Sequence, residues 1–165
     1  DLAGAEALFP TENYEALFAK AREYQVPFTI HVGEAGNAED VKTAVHMGAA
    51  RIGHGVRIAG NKEVIQLVKD KGVFLEMCPT SNRQTKAMEE MSAYPLKAFL
   101  EMGLKVTLNT DDPAIERTTL SREFRYMESL LDLTQEQKRL LLLNSVEAAF
   151  TSRNRKWKLK EQLLF

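Results

Sequence analysis

Apolar and polar positions along the chain fall into a recurring unit: a short β-branched or apolar run, a cluster of glycine and polar residues, then a helical pattern closed by glycine. Residues 28–32 (Phe-Thr-Ile-His-Val) predict a strand and residues 33–37 its loop. The following helix carries Val41, Ala44 and Val45 at i, i+3 and i+4 and stops at Gly48, which takes the left-handed turn that a side chain resists. Residues 51–55 (Arg-Ile-Gly-His-Gly) open the second unit. Its helix, with Asn61 as N-cap, places Val64, Ile65, Leu67 and Val68 before Gly72. The third unit is a strand over 73–77, a loop over 78–82 and a helix over 96–102 ended by Gly103. The fourth strand, 106–109, runs into Thr110-Asp111-Asp112-Pro113. Residues 1–4 read as the end of one more strand, because residues 14–24 are again helical in pattern.

Beyond the last loop no strand signal returns. Thr134-x-x-Gln137 predicts a capping box, and Leu143, Val146 and Phe150 share one face of the helix it begins. Strands alternating with helices imply a parallel sheet, either open and doubly wound or closed into a (β/α)8 barrel. Both architectures place ligands at the carboxyl ends of the strands.

Composition narrows the function. With 44% hydrophobic and 27% charged residues, the 165 residues are those of one globular unit. Twenty-two basic against 23 acidic side chains leave a net charge of −1, so no overall field draws the chain to nucleic acid or anionic membrane; a small neutral ligand is expected. Cys78 is alone and forms no internal disulfide, and no stretch has the length or apolar purity of a signal peptide or transmembrane helix. A reducing, cytoplasmic setting is the expectation. The opening Asp1-Leu2-Ala3-Gly4, without an initiator methionine, suggests a fragment. Arg153, Arg155, Lys156, Lys158 and Lys160 surround Trp157, a cluster that nucleic-acid binding would use. The reading preferred here is a solvated terminal helix with Trp157 and Leu164, seven residues apart, on one packed face.

Three strand ends carry candidate chemistry. His31-x-x-Glu34 sets an imidazole beside a carboxylate, a pair able to bind metal or move protons. His54 lies between Gly53 and Gly55, which permit a ligand or metal to approach the backbone. Asp111 and Asp112 put adjacent carboxylates where a cation or a donor would relieve their repulsion. Singly, each has a plainer explanation: a hydrogen-bonded histidine, a tight turn, an Asx turn before Pro113. Their recurrence on successive strand ends favours a shared site.

The strings Leu2-Ala3-Gly4, His31-Val32-Gly33-Glu34-Ala35-Gly36, Arg51-Ile52-Gly53-His54-Gly55, Cys78-Pro79-Thr80-Ser81-Asn82 and Leu108-Asn109-Thr110-Asp111-Asp112-Pro113 resemble the adenosine deaminase family in order and spacing. Cys-Pro-Thr-Ser-Asn and Asn-Thr-Asp-Asp-Pro look more like adenosine deaminases than like AMP or adenine deaminases. The resemblance implies that residues 1–165 are the C-terminal half of a (β/α)8 TIM-type barrel, a single metal-dependent hydrolase domain. It implies zinc (Zn2+) as cofactor, a purine nucleoside as small-molecule partner, and hydrolytic deamination as the reaction. His31 and Asp111 would be zinc ligands. Glu34 would donate a proton to purine N1, which burial beside the base favours. His54 would orient and deprotonate the water that zinc activates. Asp112 would hydrogen-bond N7, and the Gly4 amide would serve N3.

One departure is large. The family's first strand supplies a His-x-His pair of ligands, and no such pair occurs here; His46 falls in mid-helix. Catalytic zinc takes three protein ligands and the resemblance finds two. The unrelated cytidine-type deaminases bind zinc through a Pro-Cys-x-x-Cys segment, which a single cysteine rules out. A barrel of this type needs about 250 residues. The chain by itself is therefore expected to be inactive, and either to require the missing N-terminal half or to self-associate through open strand edges.

Overall fold

The computed structural model describes residues 1–163. The four expected strands form in order: β1 (Thr29–Val32), β2 (Arg51–His54), β3 (Phe74–Met77) and β4 (Lys105–Leu108). They are all parallel, and spatial order follows chain order. An open doubly wound sheet reverses direction at a switch point; this sheet does not. Leu2 adds an isolated parallel bridge to Ile30, donating from its N–H to Thr29 O at 3.2 Å and accepting from His31 N at 2.9 Å. The expected extra strand end is therefore present on the β1 edge.

The helices are α1 (Glu15–Glu23), α2 (Ala38–His46), α3 (Lys62–Lys71), α4 (Pro79–Gln84), α5 (Leu96–Glu101), α6 (Pro113–Glu116), α7 (Leu120–Leu131), α8 (Gln135–Ala148) and α9 (Arg153–Leu163). None of them is long and apolar enough to cross a membrane among the described residues. Their starts follow local chemistry. Asn61 accepts from Val64 N at the head of α3, and Thr134 with Gln137 forms the expected capping box of α8. Asn37 and Asp40 form a second box, on α2.

Alternation along the strands divides the sheet. Ile30, Val32, Ile52, Leu75, Met77, Val106 and Leu108 are buried in the core beneath the helices, with Val41, Val45, Val64, Val68, Leu96, Phe99 and Leu141. His31, Gly53, Glu76 and Thr107 form one transverse row on the other face, each paired with the next in register.

Three sequence expectations are corrected. The 78–82 loop is the entry to α4: Pro79 stands at its first position, where a missing N–H costs nothing. On α8 the buried positions are Leu141, Val146 and Ala148; Leu143 is half-buried, and Phe150 lies beyond the helix, exposed, under the Arg51 guanidinium at 3.8 Å. Trp157 is 58% exposed and α9 buries no residue, so the packed face expected of it does not form; Leu164 lies outside the described residues.

Glu123 of α7, fully buried, accepts from Thr80 N at 3.1 Å, Thr80 Oγ1 at 2.5 Å and Thr118 Oγ1 at 2.5 Å. It ties the starts of α4 and α7 together below the strand ends. Glu123→Ala strands these donors and is expected to cost about 3 kcal/mol of stability in denaturant unfolding. A change under about 0.5 kcal/mol, the ordinary surface value, would show the network to be dispensable.

Candidate functional site

His31 leads the site because it sits in the row that faces away from the helices. Its ring lies over Gly53 of β2, its register partner, and a Cβ on Gly53 would come within 2.8 Å of that ring. Gly53 thus makes room for His31 rather than for a ligand. The plainer explanation, a tight turn, holds for Gly55, which is left-handed and opens a short 3-10 turn.

His54 reaches the same place by breaking the strand rule. It pairs with Val32, whose side chain is in the core, so strict alternation would send the imidazole under the helices. Its φ of 65° is left-handed, and its ring meets that of His31 edge-on with centroids 5.3 Å apart. Asp111, at the end of β4, is also left-handed, with φ 61°. Single ligand atoms of His31, His54 and Asp111 lie within 4.8 Å of one another.

Each of these groups is held by a neighbour. His31 Nδ1 is 2.9 Å from Asp1 Oδ1, so its ring can present Nε2 to a metal. Asp111 Oδ2 accepts from Ser81 Oγ at 2.7 Å. His54 Nε2 is 3.5 Å from Glu34 Oε2 and 3.8 Å from Asp111 Oδ2. Burial is the larger influence on this imidazole and lowers its pKa, against the upward pull of the Glu34 and Asp111 carboxylates. Glu34 Oε1 accepts from Thr85 Oγ1 at 2.9 Å and from Asn82 Nδ2 at 3.1 Å. Glu6 clamps the loop that carries Glu34: its carboxylate accepts from Gly33 N at 2.5 Å, Glu34 N at 3.1 Å and Ala35 N at 2.9 Å.

A cavity of about 390 Å³ opens between these groups, lined among others by Gly4, Glu6, His31, Glu34, His54 and Asp111. Gly4 lies exposed at its wall. Asp112 stands next to Asp111 and caps α6, its Oδ1 accepting from Ala114 N at 3.2 Å and Ile115 N at 3.3 Å. The Asx turn is therefore real for Asp112, and one carboxylate oxygen is occupied by it. Cys78 is buried, and burial first among causes pushes its thiol well above the ordinary value.

The sequence singled out His31, Glu34, His54 and Asp111, and the structure brings all four together. It did not single out Asp1, Glu6, Ser81, Thr85 or Asn82 as individual residues of the site. The His31 imidazole and the Asp111 carboxylate suit a borderline-soft divalent metal, and a His54 ring nitrogen lies within 4.8 Å of both.

The adenosine deaminase family profile matches residues 1–164. The curated adenosine deaminase of Haemophilus ducreyi is 45% identical over 152 residues, which is 92% of this chain and 44% of that protein. Among solved structures, the adenine deaminase of Arthrobacter aurescens superposes with a TM-score of 0.94 at 30% identity, over 99% of this chain and 50% of that one. An amidohydrolase from Burkholderia ambifaria with bound Zn, 23% identical, shares the fold with a TM-score of 0.89 over 98% of this chain and 46% of its own. The chain spans about half the length of the relatives it matches, and its four-stranded sheet corresponds to the C-terminal half of their TIM-type barrel. From the near end-to-end profile match and the convergence of His31, Glu34, His54 and Asp111, the chain belongs to the adenosine deaminase family of metal-dependent hydrolases.

Proposed function

We propose that the full-length protein carrying this chain hydrolyses adenosine and 2'-deoxyadenosine to inosine and 2'-deoxyinosine, releasing ammonia, in the cavity between β1, β2 and β4. The convergence of His31, His54 and Asp111 beside Glu34 carries this reading. When bound, zinc acidifies water toward neutrality and so supplies the nucleophile for C6. His31 and Asp111 would hold the ion. His54 orients the attacking water from the buried side. Glu34 delivers a proton to N1, which draws electron density from C6 and prepares it for attack. Asp112 faces N7 with the oxygen that its turn leaves free, and the Gly4 N–H serves N3.

Since this chain contributes two of the ligands, the remaining coordination falls to the half of the barrel that the longer relatives possess. The setting is a reducing, cytoplasmic one, consistent with a lone buried thiol. A second reading, free adenine as substrate, is favoured by the Arthrobacter aurescens relative.

Loss of absorbance at the adenosine band separates the two. The full-length protein with zinc is expected to turn over adenosine faster than adenine or AMP. The isolated 165-residue chain is expected to show no turnover and to self-associate or require its N-terminal half. Faster turnover of adenine or AMP would reassign the substrate. A monomeric 165-residue chain active at the full-length rate would remove the need for a second half.

A further inference from the structure

Asn82 closes the Cys78–Asn82 string, and its side chain is fully buried at the back of the cavity. Its Nδ2 lies 3.0 Å from His54 Nδ1 and 3.1 Å from Glu34 Oε1, and its Oδ1 accepts from Tyr94 Oη at 2.8 Å. Tyr94 is itself 3% exposed, and burial raises its phenol well above the ordinary value, so the hydroxyl remains a donor.

These contacts fix which way round the amide sits. Tyr94 Oη donates to one end of the amide, which is therefore the carbonyl, and the NH2 group faces Glu34 Oε1, the oxygen that also accepts from Thr85 and leaves Oε2 to carry the acid proton. The two amide hydrogens then divide between Glu34 and His54. An imidazole that accepts at Nδ1 is neither the imidazolium nor the Nδ1–H form; its single ring proton is on Nε2. Nε2 is the atom that faces Glu34 and Asp111.

We propose that Asn82, seated by Tyr94, is a positioning residue that fixes His54 as the Nε2–H tautomer and holds Glu34 beside it. This rests on the deamination reading above and refines it. In this tautomer His54 offers the cavity a hydrogen-bond donor rather than a lone pair. It orients the oxygen of the attacking water but does not take its proton, unlike the role the resemblance implies for it: Glu34, left as a carboxylate once its proton has gone to N1, accepts the proton that the water loses and passes it to the departing amino group, which leaves as ammonia.

The test uses zinc-loaded, full-length protein labelled with 15N-histidine. Ring-nitrogen shifts above neutral pH are expected to show His54 protonated at Nε2 and bare at Nδ1, with exposed His46 averaging over both tautomers. A proton on Nδ1 of His54 would overturn the proposal. Asn82→Leu is expected to lower kcat by about 10- to 100-fold, with KM and zinc content unchanged and the His54 tautomers mixed. Tyr94→Phe removes only the hydroxyl and serves if Asn82→Leu does not fold; the same tautomer mixing, with a loss of about 10-fold, is expected. An unchanged kcat and an unmixed tautomer in a folded variant would also overturn it. The tautomer is read without turnover, so a protein that ignores adenosine yet shows Nε2–H His54 would reject the substrate reading alone.

Discussion

Exchange of Glu34 for glutamine is expected to leave the metal bound and reduce turnover by about three orders of magnitude. Glutamine keeps the length and planarity of the side chain. Its carbonyl oxygen can still accept from Asn82 and Thr85, which hold Oε1 at 3.1 Å and 2.9 Å. The clamp from Glu6 engages only the Glu34 backbone and is unaffected. What is lost is an acidic proton for N1, because an amide does not release one near neutral pH. Single-turnover kinetics together with metal analysis checks the result. If zinc and activity fall together, Glu34 is a ligand; if more than a tenth of kcat survives, another group protonates the base.

Asp111→Ala is expected to act in the opposite order, with the metal lost first and activity lost because of it. The residue stands at the end of β4, with one oxygen engaged by Ser81 at 2.7 Å. Alanine removes the one charged donor of the two ligands proposed for this chain. The loss of activity is expected to exceed the roughly 10- to 100-fold that follows removal of an outer partner, and to be partly reversed by excess zinc. Zinc occupancy equal to that of the unaltered protein would take Asp111 out of the ligand set.

Much of this architecture is written in local spacing. The i, i+3, i+4 pattern of α2, the Asn61 and Thr134 caps and the four apolar runs are properties of short windows, and the structure agrees with them to within a residue or so at the ends. His31, Glu34, His54 and Asp111 were visible as the polar residues that follow those runs. Their supports were not, because the pairs are far apart in the chain: Glu6 meets Glu34 across 28 positions, Asn82 meets Glu34 across 48, and Thr85 meets Glu34 across 51. No periodicity encodes such contacts; the sheet creates them by setting β1, β2 and β3 side by side. Helix α4 was hidden for a different reason. Pro79, Ser81 and Asn82 are common turn residues, and their helical use depends on Pro79 standing first and on Glu123 taking up the Thr80 N–H.

The left-handed backbone at His54 and Asp111 places the fold and the chemistry in competition. An L-residue in that conformation costs roughly 1–2 kcal/mol, which glycine would not pay. Mutation toward glycine at either position would relax the chain while removing a functional group, so local stability and activity select in opposite directions there. The polypeptide would fold more comfortably as a protein with no site. At the ends of β2 and β4 the side chains that the reaction uses therefore stand where the scaffold alone would favour glycine.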